Sequence, residues 1–561
     1  TYWPPDSRHG RPGFGQVLLA VADAWKDRRN DLTEQGEKIL THLQEAVSGP
    51  AAANQLDVEW IAQAEDWLIQ NVDQRFGGWG DAPKFPHATD ISLLLEGQLS
   101  SPTAERELAI RTTLNNMMHG GIYDHLGGGF ARYSVDRQWL VPHFEKMLYD
   151  NALLANSYAA AARLFNDPEY VRVTRETLDY VLRDMTDKTG AFYSTEDADS
   201  EGEEGKFYVW GLDEIREILG SDADEFAAVY DCTEGGNFEG HNILNLKSSI
   251  AQYAKENSRD LDELTDQLAR CRKKLFVHRN TRVRPGLDDK VIVSWNALMI
   301  TAMVGGFRVT GDAKYLKSAE EAVDFIQSEM IKSPGRLWHS WRQGKASHDA
   351  YLDDYTYLIE ALCELFQVSP RAETLRLAIE LSDTVIKHFA ASDSGFYFTA
   401  DYGEELIARS KDLADSSVPS ANGMAASGLL ALGRLTGQDR FIQAAESALV
   451  ACSGIMARSP QAGGQALRAL RRFSAPSQEW ILVLGEDANA GSIAERLYSP
   501  LTPKTITIAI PATDITDDLA ALCPLLAGRS DGQSTQLFVC ENNVCQLPLT
   551  GNQIDAKLDQ L

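Results

Sequence analysis

The chain has 561 residues, 44% hydrophobic and 24% charged, a length and balance that predict several globular domains with sizeable cores. Its 53 basic against 81 acidic residues give a net charge of −28, which argues against nucleic acid or an anionic membrane as a partner and leaves small, neutral ligands. No apolar run reaches the ~18 residues that cross a bilayer, and seven cysteines without a regular framework favour a reducing, cytoplasmic setting.

Residues 1 to 50 open on a turn-rich Tyr2-Trp3-Pro4-Pro5 and lead through Gly13-Phe14 into an amphipathic helix carrying Leu18, Val21 and Trp25, too little for a domain of its own. From 51 to 470 the pattern is helical and of two alternating kinds. Amphipathic segments with charged faces run over 57–72, 104–118, 169–185, 313–331, 372–389 and 440–457. Segments apolar nearly all round run over 91–99, 144–165, 291–309, 351–366 and 419–435. A helix apolar on every side must be buried on every side, and an amphipathic one on a single side. Their alternation predicts a toroid of inner and outer helices.

The links from outer to inner helix carry a degenerate glycine-aromatic repeat: Gly78-Trp79, Gly121-Ile122-Tyr123, Gly190-Ala191-Phe192, Gly335-Arg336-Leu337-Trp338 and Gly395-Phe396. An insertion near 202–285 interrupts it. Loops gathered at one end of such a ring form one mouth, a setting for a small polar ligand. After 471 the pattern turns to buried strands at 479–485, 505–509 and 535–540 separated by helical stretches, a small α/β domain. Cys540 and Cys545 are too far apart for Cys-x-x-Cys and lack a second pair for zinc, so they are read as structural thiols.

Candidate chemistry sits where inner helices begin. With Pro142 opening a helix, His143, Lys146 and Asp150 share a face and form either an acid-base cluster or a network pinning the helix start. Tyr123 and Tyr149 flank it. Glu196, Asp197 and Asp199 lie in an acidic loop that lacks the bidentate glutamate of a calcium hand; they are either solvated or divide acid and base work. Trp295 and Asn296 pair an aromatic plate with an amide, a combination that grips sugar rings, while Asp288 and Asp289 before them read as caps. His348, Tyr351 and Asp354 repeat the theme, Asp354 pointing inward, and Asn422 follows. Nothing in the spacing calls for a metal or other cofactor, and neither a nucleophile elbow nor a zinc motif is present.

Long strings in their family's order make the chain resemble the spermatogenesis-associated protein 20 and YyaL family: Ala82-Pro83-Lys84-Phe85-Pro86, Gly120 to Ala152, Glu196-Asp197-Ala198-Asp199-Ser200, Ser294-Trp295-Asn296-Ala297, Leu352-Asp353-Asp354-Tyr355 and Val539 to Cys545. That resemblance implies a mainly α fold, an (α/α)6 toroid of the six-hairpin glycosidase and N-acylglucosamine 2-epimerase type, preceded by a thioredoxin-like domain. Residues 1–50 would match only the end of that domain, so its cysteine motif would lie upstream of Thr1. By the same resemblance, Lys146, Tyr149 and Asn151 suggest an epimerase in which His143 or His348 shuttles a proton; a glycosidase would use a carboxylate pair such as Asp197 and Asp354. A small-molecule substrate, a sugar, is expected in either case, and a non-catalytic or redox-regulatory protein that binds a client is the alternative.

Overall fold

The computed structural model describes the chain apart from residues 1–2, 9, 48–54, 488–489, 504, 530–532, 543 and 561. Among the described residues, twelve helices make six hairpins: α1 (Glu59–Asn71), α2 (Ala88–Ser100), α3 (Ala104–His119), α4 (Leu148–Phe165), α5 (Pro168–Asp184), α6 (Val293–Thr310), α7 (Ala313–Phe325), α8 (Leu352–Val368), α9 (Ala372–His388), α10 (Ala421–Thr436), α11 (Asp439–Arg458) and α12 (Gly464–Phe473). The odd-numbered helices are outer and the even-numbered inner. Composition explains the division. In α10 every residue except Ala431 and Arg434 is buried, whereas α5 buries one stripe, among it Tyr170, Val173, Leu178 and Val181. Outer helices start on polar caps: Thr103 accepts from the Arg106 amide, and Asp167 from Glu169 ahead of Pro168 at the first helical position. The inner helices pack in the order α2, α4, α6, α8, α10, α12 and back to α2, closing the ring.

Three expectations needed correction. First, the segment before α4 is extended: residues 142–143 pair with 133–134 and residues 146–147 with 195–196, so the helix begins only at Leu148. His143, Lys146 and Asp150 therefore do not share a helical face. Second, α12 is an inner helix that the sequence reading missed, because Arg468, Arg471 and Arg472 imitate a solvated face. Third, Cys540 and Cys545 form a disulfide across a hairpin instead of standing as free thiols.

The insertion leaves the toroid at Asp197 and returns at Gly286, whose carbonyl accepts from the Asp197 amide at 2.7 Å. It folds on an apolar core of its own that includes Trp210, Phe226, Tyr230 and Leu268. In the C-terminal α/β unit, strand 478–484 is central, parallel to 505–511 and antiparallel to 536–541. This unit is fastened to the end of α8: the Tyr498 hydroxyl donates to the Gln367 carbonyl at 2.7 Å, and the Thr507 amide to Gln367 Oε1 at 3.1 Å. At the other terminus, helices Phe14–Asp27 and Arg29–Val47 leave Leu18, Leu19, Val21 and Trp25 exposed. Nothing in the described residues identifies a thioredoxin-like remnant, and the expected junction near residue 50 lies outside them. No described helix is long and apolar enough to cross a membrane.

Candidate active site at the toroid mouth

All six inner helices begin at the same end, as contacts between their first turns demonstrate. Thr89 of α2 and Asp150 of α4 line one pocket with Ser416 and Ser417 from the loop before α10. The rings of Tyr149 and Trp295 meet edge to face at 4.9 Å, joining α4 to α6. The Ser294 amide donates to Asp354 Oδ1 at 3.0 Å, joining α6 to α8. Ahead of α10, Asp415 accepts from the Gln465 amide of α12 at 2.8 Å. A Cβ added at Gly464 would in turn lie 3.3 Å from Asp90 Oδ1, closing the circuit on α2.

This mouth concentrates carboxyl groups whose pKa burial raises. Asp90 is 1% exposed with no hydrogen bond to either carboxylate oxygen, and its pKa is driven well up by burial with Asp415 adding to it. Burial likewise raises Asp150, against the pull of Arg132, and leaves its Oδ2 without a partner. Asp353 is pushed up to about 7 by burial and the adjacent Asp354, with His339 opposing, and its buried Oδ1 makes no hydrogen bond. Asp412 is raised to about 6 by burial, moderated by the Ala421 amide it accepts from at 2.8 Å. Aromatic surface stands beside these acids: Tyr351 stacks on Phe398 with ring centres 5.2 Å apart, and His339 meets the edge of the same tyrosine. The open pocket over Asp150, bounded by Phe85, Pro86 and His87, has a cavity volume of about 230 Å³.

Several expected site residues take other roles. Asp354 does point inward, but it accepts from the Ser294 and Tyr351 amides and contacts His339 Nδ1 at 2.8 Å, which satisfies it as a helix cap. Its neighbour Asp353 has the Ser294 side chain beside it and keeps its buried Oδ1 without a hydrogen bond. His339 is the histidine of this group: burial opposes its charge, yet the hydrogen bond and charge of Asp354 raise its pKa. His348 lies exposed at positive φ on the 336–349 hairpin. His143 binds Glu204 through Nδ1 at 2.7 Å and stacks on Tyr133, whose other neighbour is Phe85 of the mouth pocket.

Lys146 belongs to a separate buried network. Its Nζ is 2.9 Å from Asp124, which Arg279 grips with both guanidinium nitrogens at 2.8 Å. The pair of cations holds Asp124 well below the usual carboxylate range despite its burial. Glu196 completes this side through Tyr180 at 3.0 Å and Arg284 at 3.3 Å, and the buried Tyr123 hydroxyl donates to Glu176. Asp197 and Asp199 face solvent.

Asn296 and Asn422 act as pins. Asn296 accepts from the Phe192 amide at 2.8 Å and donates to the Phe192 and Ile292 carbonyls; Asn422 does the same with Phe396 and Asp412, and Asn151 with Phe130 and Met147. All three side chains are fully buried with their hydrogen-bonding capacity taken up by backbone, and each ties the aromatic of one glycine-rich link to an inner helix. Replacing Asn422 by alanine would strand two buried backbone groups, so we expect a loss of ~2–4 kcal/mol in chemical denaturation with ligand affinity unchanged. A weakened affinity with intact stability would return Asn422 to the binding surface.

With the geometry laid out, relatives can be compared. Spermatogenesis-associated protein 20 of Homo sapiens is 32% identical over 602 residues, covering 98% of this chain and 76% of the human protein. The chain belongs to the spermatogenesis-associated protein 20 family. The Mus musculus protein of that name is 31% identical, with 98% of this chain and 75% of the mouse protein covered. No protein-family model matches the chain. Among solved structures, this member of the spermatogenesis-associated protein 20 family is similar to a D-mannose isomerase at 13% identity and TM-score 0.47, over 70% of this chain and 84% of that one. An unsaturated glucuronyl hydrolase from Bacillus sp. GL1 gives 12% and 0.44, over 74% and 95%. Similarity this distant says nothing of reaction or ligand.

Proposed function

We propose that the toroid mouth binds a carbohydrate and hydrolyses a glycosidic bond with carboxylates as acid and base. The observation that carries the reading is Asp353, a carboxyl group held near neutrality with a buried, unpartnered oxygen at the start of an inner helix. Protonated, it can give its proton to the departing glycosidic oxygen. Asp412, whose charge influences Asp353, titrates lower and can take the proton of the attacking water. Trp295, partly exposed and backed by the buried Tyr149, offers aromatic surface for a sugar ring, and the acidic chain suits a neutral substrate.

Epimerisation by a histidine base fits less well. His348 is exposed on its hairpin, His143 is engaged by Glu204, and Asp354 raises the pKa of His339, which disfavours it as a base. Incubation with a panel of oligosaccharides, followed by proton NMR in heavy water, separates the readings. New reducing ends support hydrolysis, loss of a C2 proton supports epimerisation, and silence without thermal stabilisation supports non-catalytic binding. For the hydrolase, kcat/KM should follow a bell with limbs near pH 6 and pH 7, rising as Asp412 loses its proton and falling as Asp353 does. A profile flat from pH 5 to 8 would remove both residues from the reaction.

A further inference from the structure

The opposite end of the ring, where the inner helices stop, holds a chamber that the mouth chemistry does not use. Its cavity volume is about 130 Å³, and residues 501–503 and 505–507 of the C-terminal unit roof it. Five arginines and three glutamates line it. Their pairing does not balance. Arg468 and Arg472 share Glu96 at 2.9 and 2.8 Å, and Arg308 takes Glu364.

Among the described residues, that leaves Arg163 without a carboxylate at ion-pair distance, while the carboxylate acting on Arg434 is Glu479, outside the chamber lining. Arg163 donates to the carbonyls of Ser499 and Pro500, and Arg434 to those of Arg472 and Ala475. Burial and the nearby Arg308 lower the pKa of Arg163 to about 9 against the pull of Glu364, and burial with Arg472 lowers that of Arg434 against the pull of Glu479. The third glutamate does not compensate. Glu360 is 8% exposed, its Oε2 has no hydrogen bond, and burial raises its pKa to about 7 even with Arg472 3.7 Å away. Arg472 Nε is also unpartnered. Burial outweighs the carboxylates that act on these two cations, and both pKa values fall; an anion in the chamber would relieve that cost. The neighbouring walls are neutral and hydrogen-bonding: Asn156, Thr301, Gln367 and Ser427.

We propose that this chamber binds an oxyanion carried on a small hydroxylated molecule, a phosphate monoester of a polyol, with Arg163 and Arg434 as the charge partners and the amide and hydroxyl walls reading the remainder. The site is distinct from the mouth and does not depend on the hydrolase reading.

The test uses the full chain, thermal shift and calorimetry at constant ionic strength, and three probes: glucose 6-phosphate, inorganic phosphate and glucose. The phosphate ester is expected to raise Tm by ~2–4 °C at saturation and glucose to leave it unmoved. Arg434→Gln should weaken ester binding by at least ~10-fold, the equivalent of one good charged contact. Ala431→Phe keeps every charge but fills the chamber from the exposed side of α10, and it should abolish binding; it decides the matter if Arg434→Gln misfolds. Asp353→Asn should leave the shift intact. Equal binding of inorganic phosphate makes the free ion the ligand, and tighter ester binding shows the walls in use; both sustain the site. No shift with either anion, an equal shift with glucose, or undiminished binding by Ala431→Phe overturns it.

Discussion

Asp353→Asn is expected to cut glycoside turnover by about 10²- to 10⁴-fold, the range over which a positioned proton donor acts, while leaving thermal stability unchanged or higher. Asparagine keeps the shape and removes only the transferable proton. Stability survives because the native state already favours the neutral acid. A carboxyl group whose folded pKa lies near 7, above its unfolded value, destabilises the fold increasingly as pH rises from about 4 through 7. The variant should therefore also flatten that part of the stability–pH curve. Asp354→Asn provides the contrast, since it disturbs the two backbone amides and the histidine that Asp354 holds and should lower Tm. If Asp353→Asn turns over substrate at the wild-type rate, the acid lies elsewhere, with Asp90 and Asp150 the next residues to replace.

The second large effect concerns the closure of the ring. Glu65 on α1 is 5% exposed and sits between Arg106 on α3, at 2.8 Å, and Arg471 on α12. One carboxylate thus fastens the last hairpin to the first two. Glu65→Ala leaves two buried guanidinium groups facing each other without a counter-charge, a loss of ~3–5 kcal/mol. Guanidinium denaturation followed by tryptophan fluorescence should show the toroid transition at markedly lower denaturant, while the C-terminal unit is judged by its own transition. Replacing Glu65, Arg106 and Arg471 together by apolar residues should recover much of the deficit, because the expense lies in the unpaired charges. A change below ~1 kcal/mol in the single variant would mean that water already reaches the triad.

How much of this was legible in the chain depends on what each residue answers to. Inner and outer helices were legible because burial on one side or all sides writes itself into periodicity, and so were the three strands of the C-terminal unit. Helix α12 was not, since Arg468 and Arg471 declare their burial only through Glu96 and Glu65, several hundred positions earlier. Residues 142–147 were misread as helix because their strand partners lie at 133–134 and 195–196. At the mouth, the inward turn of Asp354 was correct from helix geometry, but geometry alone cannot separate a cap from a free acid one position earlier. A usable signal for Asp90 was present. Asp90, Asp150 and Asp354 each occupy the third position of an inner helix, so aligning the hairpins on one another would have brought them together. Asp412 and His339 sit in links whose course only tertiary structure defines.

The asparagine pins carry a consequence for redesign. Asn151, Asn296 and Asn422 each clamp one aromatic of a link before the chain passes into an inner helix, which isolates the barrel mechanically from whatever the outer parts of those links do. The insertion already exploits this: it departs beyond the Phe192 clamp and comes back at Gly286 without displacing α6. Since lengthening a loop between fixed ends costs only logarithmically in chain entropy, new segments grafted outside the clamps should leave the barrel intact. The mouth is thereby a socket whose fittings can be exchanged while the wall behind them stays as built.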